Sequence, residues 1–143
     1  MNTPTKFTPN PSTGRITIAA AFTPTLNIHQ PQSTYTQFYW LPILGPLSAL
    51  TFSRINEYLP GDDTPIEVDH DELAWSLGAS PARLNRAITR LTKFHLATIE
   101  PGAYDTLAVK RAAPTLSPAL LAAVTAKCPT LGAAHDEQLH WAA

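Results

Sequence analysis

The feature that most narrows the fold of this chain is a pair of capped helices joined by three residues, spanning Asp69–Leu96. Asp69 can accept from the backbone N–H of residue 72, and Glu72 can reach back to the N–H of Asp69, a reciprocal capping box. Val68 and Leu73 sit around it as a hydrophobic staple. Asp71 and Glu72 place two acids in the first turn, where the positive end of the helix dipole favours them. Leu73, Ala74 and Leu77 make one narrow apolar stripe, and Gly78 suits the left-handed position that ends the helix. The joint is Gly78-Ala79-Ser80. Ser80 is a good N-cap, and Pro81 suits the first helical position because its missing N–H would find no partner there. Two short helices around a Gly-containing turn of this length have the sequence form of a helix-turn-helix.

The second helix separates its faces. At about 100° per residue, Leu84, Ala87, Ile88, Leu91 and Phe94 fall on one arc, the core side. Arg83, Arg86, Arg90 and Lys93 fall on another, with Ala82, Asn85, Thr89 and Thr92 filling the rest of the polar side. A lone amphipathic helix with such a stripe is usually just solvated. This stripe holds no acid, so it lacks the i,i+4 Glu–Lys pairs of an ordinary soluble face. Arg and Asn are also the side chains that pair bidentately with guanine and adenine edges. Helix 80–95 is therefore expected to read the major groove of double-stranded DNA through Ser80, Arg83, Asn85, Arg86, Thr89, Arg90 and Lys93.

The segment after this helix completes the pattern. Leu96–Glu100 can form a strand, Pro101–Tyr104 a turn and Asp105–Arg111 a second strand. In the latter, Leu107 and Val109 alternate with Thr106, Ala108 and Lys110, the period of a half-buried strand. A hairpin directly after a recognition helix is a wing, and it would lay Tyr104, Lys110 and Arg111 against the DNA. Its tip, Pro101–Asp105, is short and holds Asp105 instead of a basic cluster. A core helix precedes the pair: Gly45-Pro46 starts it, Leu47, Leu50, Ile55, Tyr58 and Leu59 line it, and Pro60-Gly61 ends it. The expected fold class is mainly α with a small β-hairpin (α+β), a winged helix-turn-helix. It has a three-helix core and a wing sheet of two to three strands over residues 38–113.

The chain resembles small winged-helix proteins of actinobacteria and their phages. The likeness is carried by Trp40-Leu41-Pro42-Ile43-Leu44-Gly45-Pro46, by Glu72-Leu73-Ala74 with Leu77-Gly78, and by Arg90-Leu91-Thr92-Lys93-Phe94-His95-Leu96-Ala97. Ala134-His135-Asp136 extends it, and the first 37 residues stand outside it. The resemblance implies a DNA-binding role and brings no catalytic residues.

The flanks are less regular. Residues 1–37 are rich in Thr, Pro, Asn and Ser and carry only Lys6 and Arg15 as charges, the composition of a largely flexible tail. Ile16 and Ile18 alternate within Arg15–Phe22, so a strand there can join the wing sheet or a partner. In the C-terminal extension, 114–143, Ser117-Pro118 can open a helix and Pro129 interrupts it. Leu116, Leu120, Leu121, Val124, Leu131, Leu139 and Trp141 exceed what a small winged-helix core needs to bury. They are expected to make a homodimer, or else to cover Trp40 and the first helix.

Charge is segregated. The net charge is −1, yet Arg54–Ala79 holds one cation and seven acids, and Ser80–Arg111 holds six cations and two acids. The molecule is thus expected to have a positive side and a negative side. The positive side neutralises few phosphates per copy, which is the reason to expect a dimer. No apolar run is long enough for a membrane span, no signal peptide is visible, and Cys128 is alone, so a cytoplasmic setting is expected.

Chemistry beyond binding finds little support. Cys128, His135 and His140 have ligand-type side chains at a spacing that matches no zinc pattern. The glycines are dispersed, with no phosphate loop, and no nucleophile elbow is present. Asp62 and Asp63 belong to a Pro-Gly turn. Trp40, Trp75 and Trp141 suit core or interface anchors. No enzyme, cofactor or metal is expected. The leading expectation is a sequence-specific DNA-binding protein, a transcriptional regulator of bacterial or phage origin. The alternative is a winged-helix module that binds protein without reading DNA.

Overall fold

The structure, a computed structural model, describes Phe7 and residues 9–10, 12–102 and 105–136. Strand β1 (Arg15–Ala20) and the short β2 (Ile28–His29) come first. A π-helical turn (Thr36–Trp40) runs into α1 (Leu41–Leu44), and α2 (Pro46–Tyr58) comes next. Then come β3 (Ile66–Asp69), α3 (His70–Ser76), α4 (Pro81–Lys93), β4 (Ala97–Glu100) and β5 (Thr106–Val109). The short β6 (Ala113–Pro114), α5 (Pro118–Lys127) and α6 (Pro129–Ala133) end the described chain.

The sheet corrects the expected fold. It has four strands in the order β3-β1-β5-β4, not a two- to three-stranded wing, and it is mixed. β1 runs antiparallel to β3, with Ile16 opposite Val68 and Ile18 opposite Ile66. On its other side β1 runs parallel to β5, with Ile18 opposite Leu107 and Ala20 opposite Val109. β4 closes the far edge against β5, Ile99 opposite Leu107. A second sheet pairs β2 with β6. With six α-helices around these sheets among the described residues, the chain is α+β but not a three-helix winged helix-turn-helix.

The reason is local to β1. Its Ile16 and Ile18 are fully buried, and the strand lies between β3 and the β4–β5 hairpin. β5 is thus an inner strand; Leu107 and Val109 are buried and Thr106 and Lys110 less so, as the alternation predicts, and Ala108 alone departs from it by being buried as well. Ala108 lies opposite Ala19 of β1 and Thr98 of β4, so its small side chain is flanked on both edges. On the core side, Phe52 and Ile55 of α2 and Leu84, Ile88 and Leu91 of α4 complete one apolar cluster with the two isoleucines.

The helix pair forms where the sequence places it. The Asp69 carboxylate accepts from the Glu72 N–H at 2.9 Å, and the Ser80 hydroxyl accepts from the Arg83 N–H at 3.2 Å. Gly78 has φ +69°, and the Gly78 and Ala79 N–H groups donate to the Trp75 and Ala74 carbonyls, a Schellman ending. α4 ends the same way, with His95 and Leu96 donating to the Thr92 and Leu91 carbonyls. There the left-handed residue is His95, at φ +63°. A side chain in that conformation is strained where glycine is not. His95→Gly should therefore raise stability by about 1 kcal/mol, read as a higher midpoint in urea with an unchanged slope.

The C-terminal helices pack on this same core. Leu116 and Val124 are buried, and Leu120, Leu121, Cys128 and Leu131 lie partly buried against the cluster. Trp40 donates its indole N–H to the Pro114 carbonyl at 2.8 Å. Leu139, His140 and Trp141 lie outside the described residues.

A buried ring cluster ties these helices to the N-terminal segment. His29 stacks on Tyr35 at 3.7 Å between ring centroids. The His135 ring meets Tyr35 and Tyr39 edge-on. The Tyr35 hydroxyl accepts from the Leu116 N–H at 2.9 Å and lies 2.7 Å from His135 Nε2. Burial pushes the Tyr35 phenol up, so the hydroxyl keeps its proton. The Thr115 hydroxyl and His29 Nε2 share a hydrogen bond at 2.9 Å, and the buried His29 Nδ1 has no hydrogen-bond partner among the described residues. Among the described residues, no helix is long and apolar enough to cross a membrane.

Candidate nucleic-acid interface

α4 turns a mostly polar face outward because its apolar residues occupy one arc. Leu84, Ala87, Ile88 and Leu91 are buried, whereas Arg83, Arg86, Arg90 and Lys93 are exposed. The same cations face the start of α2. Leu44, Gly45, Pro46, Leu47 and Ser48 line a shallow groove with Arg83, Arg86, Thr89, Arg90 and Lys93. α2 has no side-chain cap at Gly45 and Pro46 as its first residue. Its first turn therefore leaves backbone N–H groups open and places the positive end of a 13-residue helix beside the cations. That combination favours an anion (phosphate above all) over any other ligand class.

The expected contact residues divide into two sets. Arg83, Arg86 and Lys93 form no ion pair among the described residues, and Lys93 stands over the Phe94 ring at 5.6 Å. Ser80 is exposed at the helix start, its hydroxyl occupied by the Arg83 N–H. The remaining residues are more engaged. Arg90 donates to the Ile43 carbonyl from Nε at 3.0 Å and from an Nη at 2.6 Å. It thereby ties α4 to the end of α1. Asn85 Oδ1 lies 2.8 Å from Nε2 of the buried His70, so half of its amide joins α4 to α3. Thr89 donates to the Asn85 carbonyl at 2.9 Å.

The wing residues lie elsewhere. Arg111 pairs with Asp63 at 3.3 Å and donates to the carbonyls of Asn56, Leu59 and Pro60 at 3.2–3.4 Å. It thus caps the C-terminal end of α2. A helix of 13 residues is about 20 Å long, so Arg111 sits far from the groove at the α2 N-terminus. Lys110 is half-buried, and its backbone N–H donates to the Leu96 carbonyl. Tyr104 lies outside the described residues.

Sequence reasoning missed the α2 N-terminus as part of the cationic surface. Gly45-Pro46 signalled a helix start, but its position beside α4 is a tertiary fact. Among the described residues no group of three or more His, Cys, Asp or Glu is placed to hold a metal. No protein-family model matches the chain, and no curated protein or solved structure matches it either.

Proposed function

We propose that the protein binds double-stranded DNA through the exposed face of α4, acting as a transcriptional regulator. The observation that carries this reading is the set Arg83, Arg86 and Lys93: three exposed cations on one helix face, without ion pairs among the described residues, next to a helix N-terminus with no side-chain cap. The α2 N-terminus and Lys93 suit phosphate contacts that fix orientation, and Arg83 and Arg86 suit guanine edges. A setting in the cytoplasm, expected from the lone Cys128, belongs to the same reading.

The test is a gel shift or fluorescence titration against genomic fragments at several salt concentrations. With Lys93 as the phosphate-neutralising cation and Arg83 and Arg86 on base edges, the logarithmic salt slope should be shallow, about −1. Arg83→Ala and Arg86→Ala should each weaken specific binding by about 1–3 kcal/mol and relax sequence preference, with little change in folding. Arg90→Ala should differ. Its two hydrogen bonds to Ile43 make its main effect a stability loss of about 1–3 kcal/mol. Full affinity in both the Arg83 and Arg86 variants would remove α4 as the reading helix.

One observation favours a second reading, a protein-binding module. Trp75 of α3 is 83% exposed, beside several carboxylates. An exposed indole in an acidic setting is poor for DNA and good for a cationic protein surface.

A further inference from the structure

A second groove, which holds Trp75, reaches from α3 to the start of α4. It encloses about 950 Å³ and is walled by β3, by α3 and by Tyr58 of α2. Its acids come from two elements: Glu67 and Asp69 from β3, Asp71 and Glu72 from α3. Asp69 is used in capping α3, and Asp71 lies 3.8 Å from His70 Nδ1. Glu67, Asp71 and Glu72 are exposed, and among the described residues Arg15 is the one cation in the lining. Trp75 at 83% and Tyr58 at 41% exposure add aromatic surface.

We infer that this groove seats the α4 face of a second copy of the chain, so that self-association and DNA binding compete for the same cations. Both halves of the contact are present in one molecule. Arg83, Arg86 and Lys93 project without ion-pair partners among the described residues, and the groove offers more carboxylates than cations. A guanidinium from α4 can lie over the Trp75 indole while Glu67, Asp71 and Glu72 neutralise it, a cation–π contact joined to charge pairing. The net charge of −1 leaves almost no overall repulsion between copies, while the segregated patches orient them. Nucleic acid cannot be the occupant, because the carboxylates repel phosphate. The groove and the cationic face lie on adjoining helices. A twofold pairing can therefore place each groove on the other copy's α4, which closes a dimer instead of building a filament.

The association stands by itself; the competition rests on the DNA reading above. The test is sedimentation of the full chain at low and high salt. The dimer should weaken at least about tenfold between 50 mM and 500 mM salt, because its contacts are charge pairs at an exposed rim. The groove variant Asp71→Asn/Glu72→Gln and the face variant Arg83→Gln/Arg86→Gln should each weaken it by about tenfold or more. Mixed one to one, the two variants should recover association, because one groove and one face remain complementary in the pair. That recovery also shows both variants to be folded. Duplex DNA that binds α4 should dissociate the dimer. A monomer at all concentrations would overturn the inference, as would a dimer that neither variant weakens, such as one joined through residues 114–143. Absence of recovery on mixing, with both variants folded by circular dichroism, would also overturn it, leaving the groove for a cationic segment of another protein. If the chain binds no DNA but dimerises as described, the DNA reading fails while the self-association stands.

Discussion

A chain shortened to begin at Gln37 should fail to fold cooperatively. The shortened chain would lose Phe7, Ile16, Ile18 and Tyr35, all of which are buried in the core. At about 1.5–3 kcal/mol for each buried large apolar side chain, the loss is on the order of 6–12 kcal/mol. That matches the whole stability of an ordinary domain, about 5–15 kcal/mol. It would also part β3 from β5, since β1 is the strand between them. Circular dichroism should show a broad, non-cooperative melt and the apolar dye ANS should bind. A sharp thermal transition in the shortened chain would mean that β1 is an accessory to the sheet and not its centre.

Tyr35→Phe should destabilise the protein by about 2–4 kcal/mol, because removing one hydroxyl leaves two buried groups unpaired, the Leu116 N–H and His135 Nε2. The shape of the ring is retained, so the stacking on His29 survives and the loss reports the hydrogen bonds. The same cluster should make the protein less stable in acid. Burial, and then the nearby His135, hold the His29 imidazole below its usual value of 6.5 in the folded state. The unfolded chain therefore takes up this proton first. The stability due to a neutral His29 is complete above about pH 6.5 and is lost as the pH falls from there towards the folded value. Thermal melts between about pH 7.5 and 5 should fall on the acid side. His29→Gln should flatten that slope. An unchanged slope in this variant would assign the acid sensitivity to other groups.

How much of this was legible in the sequence depends on the range of the interaction. Caps are made by residues three positions apart, so Asp69, Gly78 and Ser80 announced α3 and α4 directly. The faces of α4 and the β4–β5 hairpin were equally local. The position of β1 was not. Ile16 and Ile18 showed a strand, but the flanking Thr, Pro and Asn gave the composition of a tail, and nothing local indicates a parallel partner near residue 107. Side-chain use was only half legible. Arg83 and Arg90 look alike in a helical projection, yet Arg83 forms no ion pair among the described residues and Arg90 is held by the Ile43 carbonyl. Arg111 looks like a wing cation and serves as a helix cap. The segregation of acids and cations was readable by counting. That the acids share a groove with an exposed Trp75 was not, because the groove is built from β1, α2, β3, α3 and the start of α4.

The parallel pairing of β1 with β5 also sets the order of events at the ribosome. Ile18 must wait for Leu107, its partner 89 positions later. At about 5–20 residues per second, a nascent β1 spends on the order of ten seconds without the neighbour that covers one of its edges. Contacts of such sequence separation also slow refolding, because the loop must close before the pairing rewards it. An uncovered inner strand with two buried isoleucines is an opening for strand-to-strand aggregation. The Thr-, Pro- and Asn-rich stretches on either side of β1 thus gain a role during synthesis. Their Pro and Asn residues lower the β-propensity around a strand that is committed early and paired late.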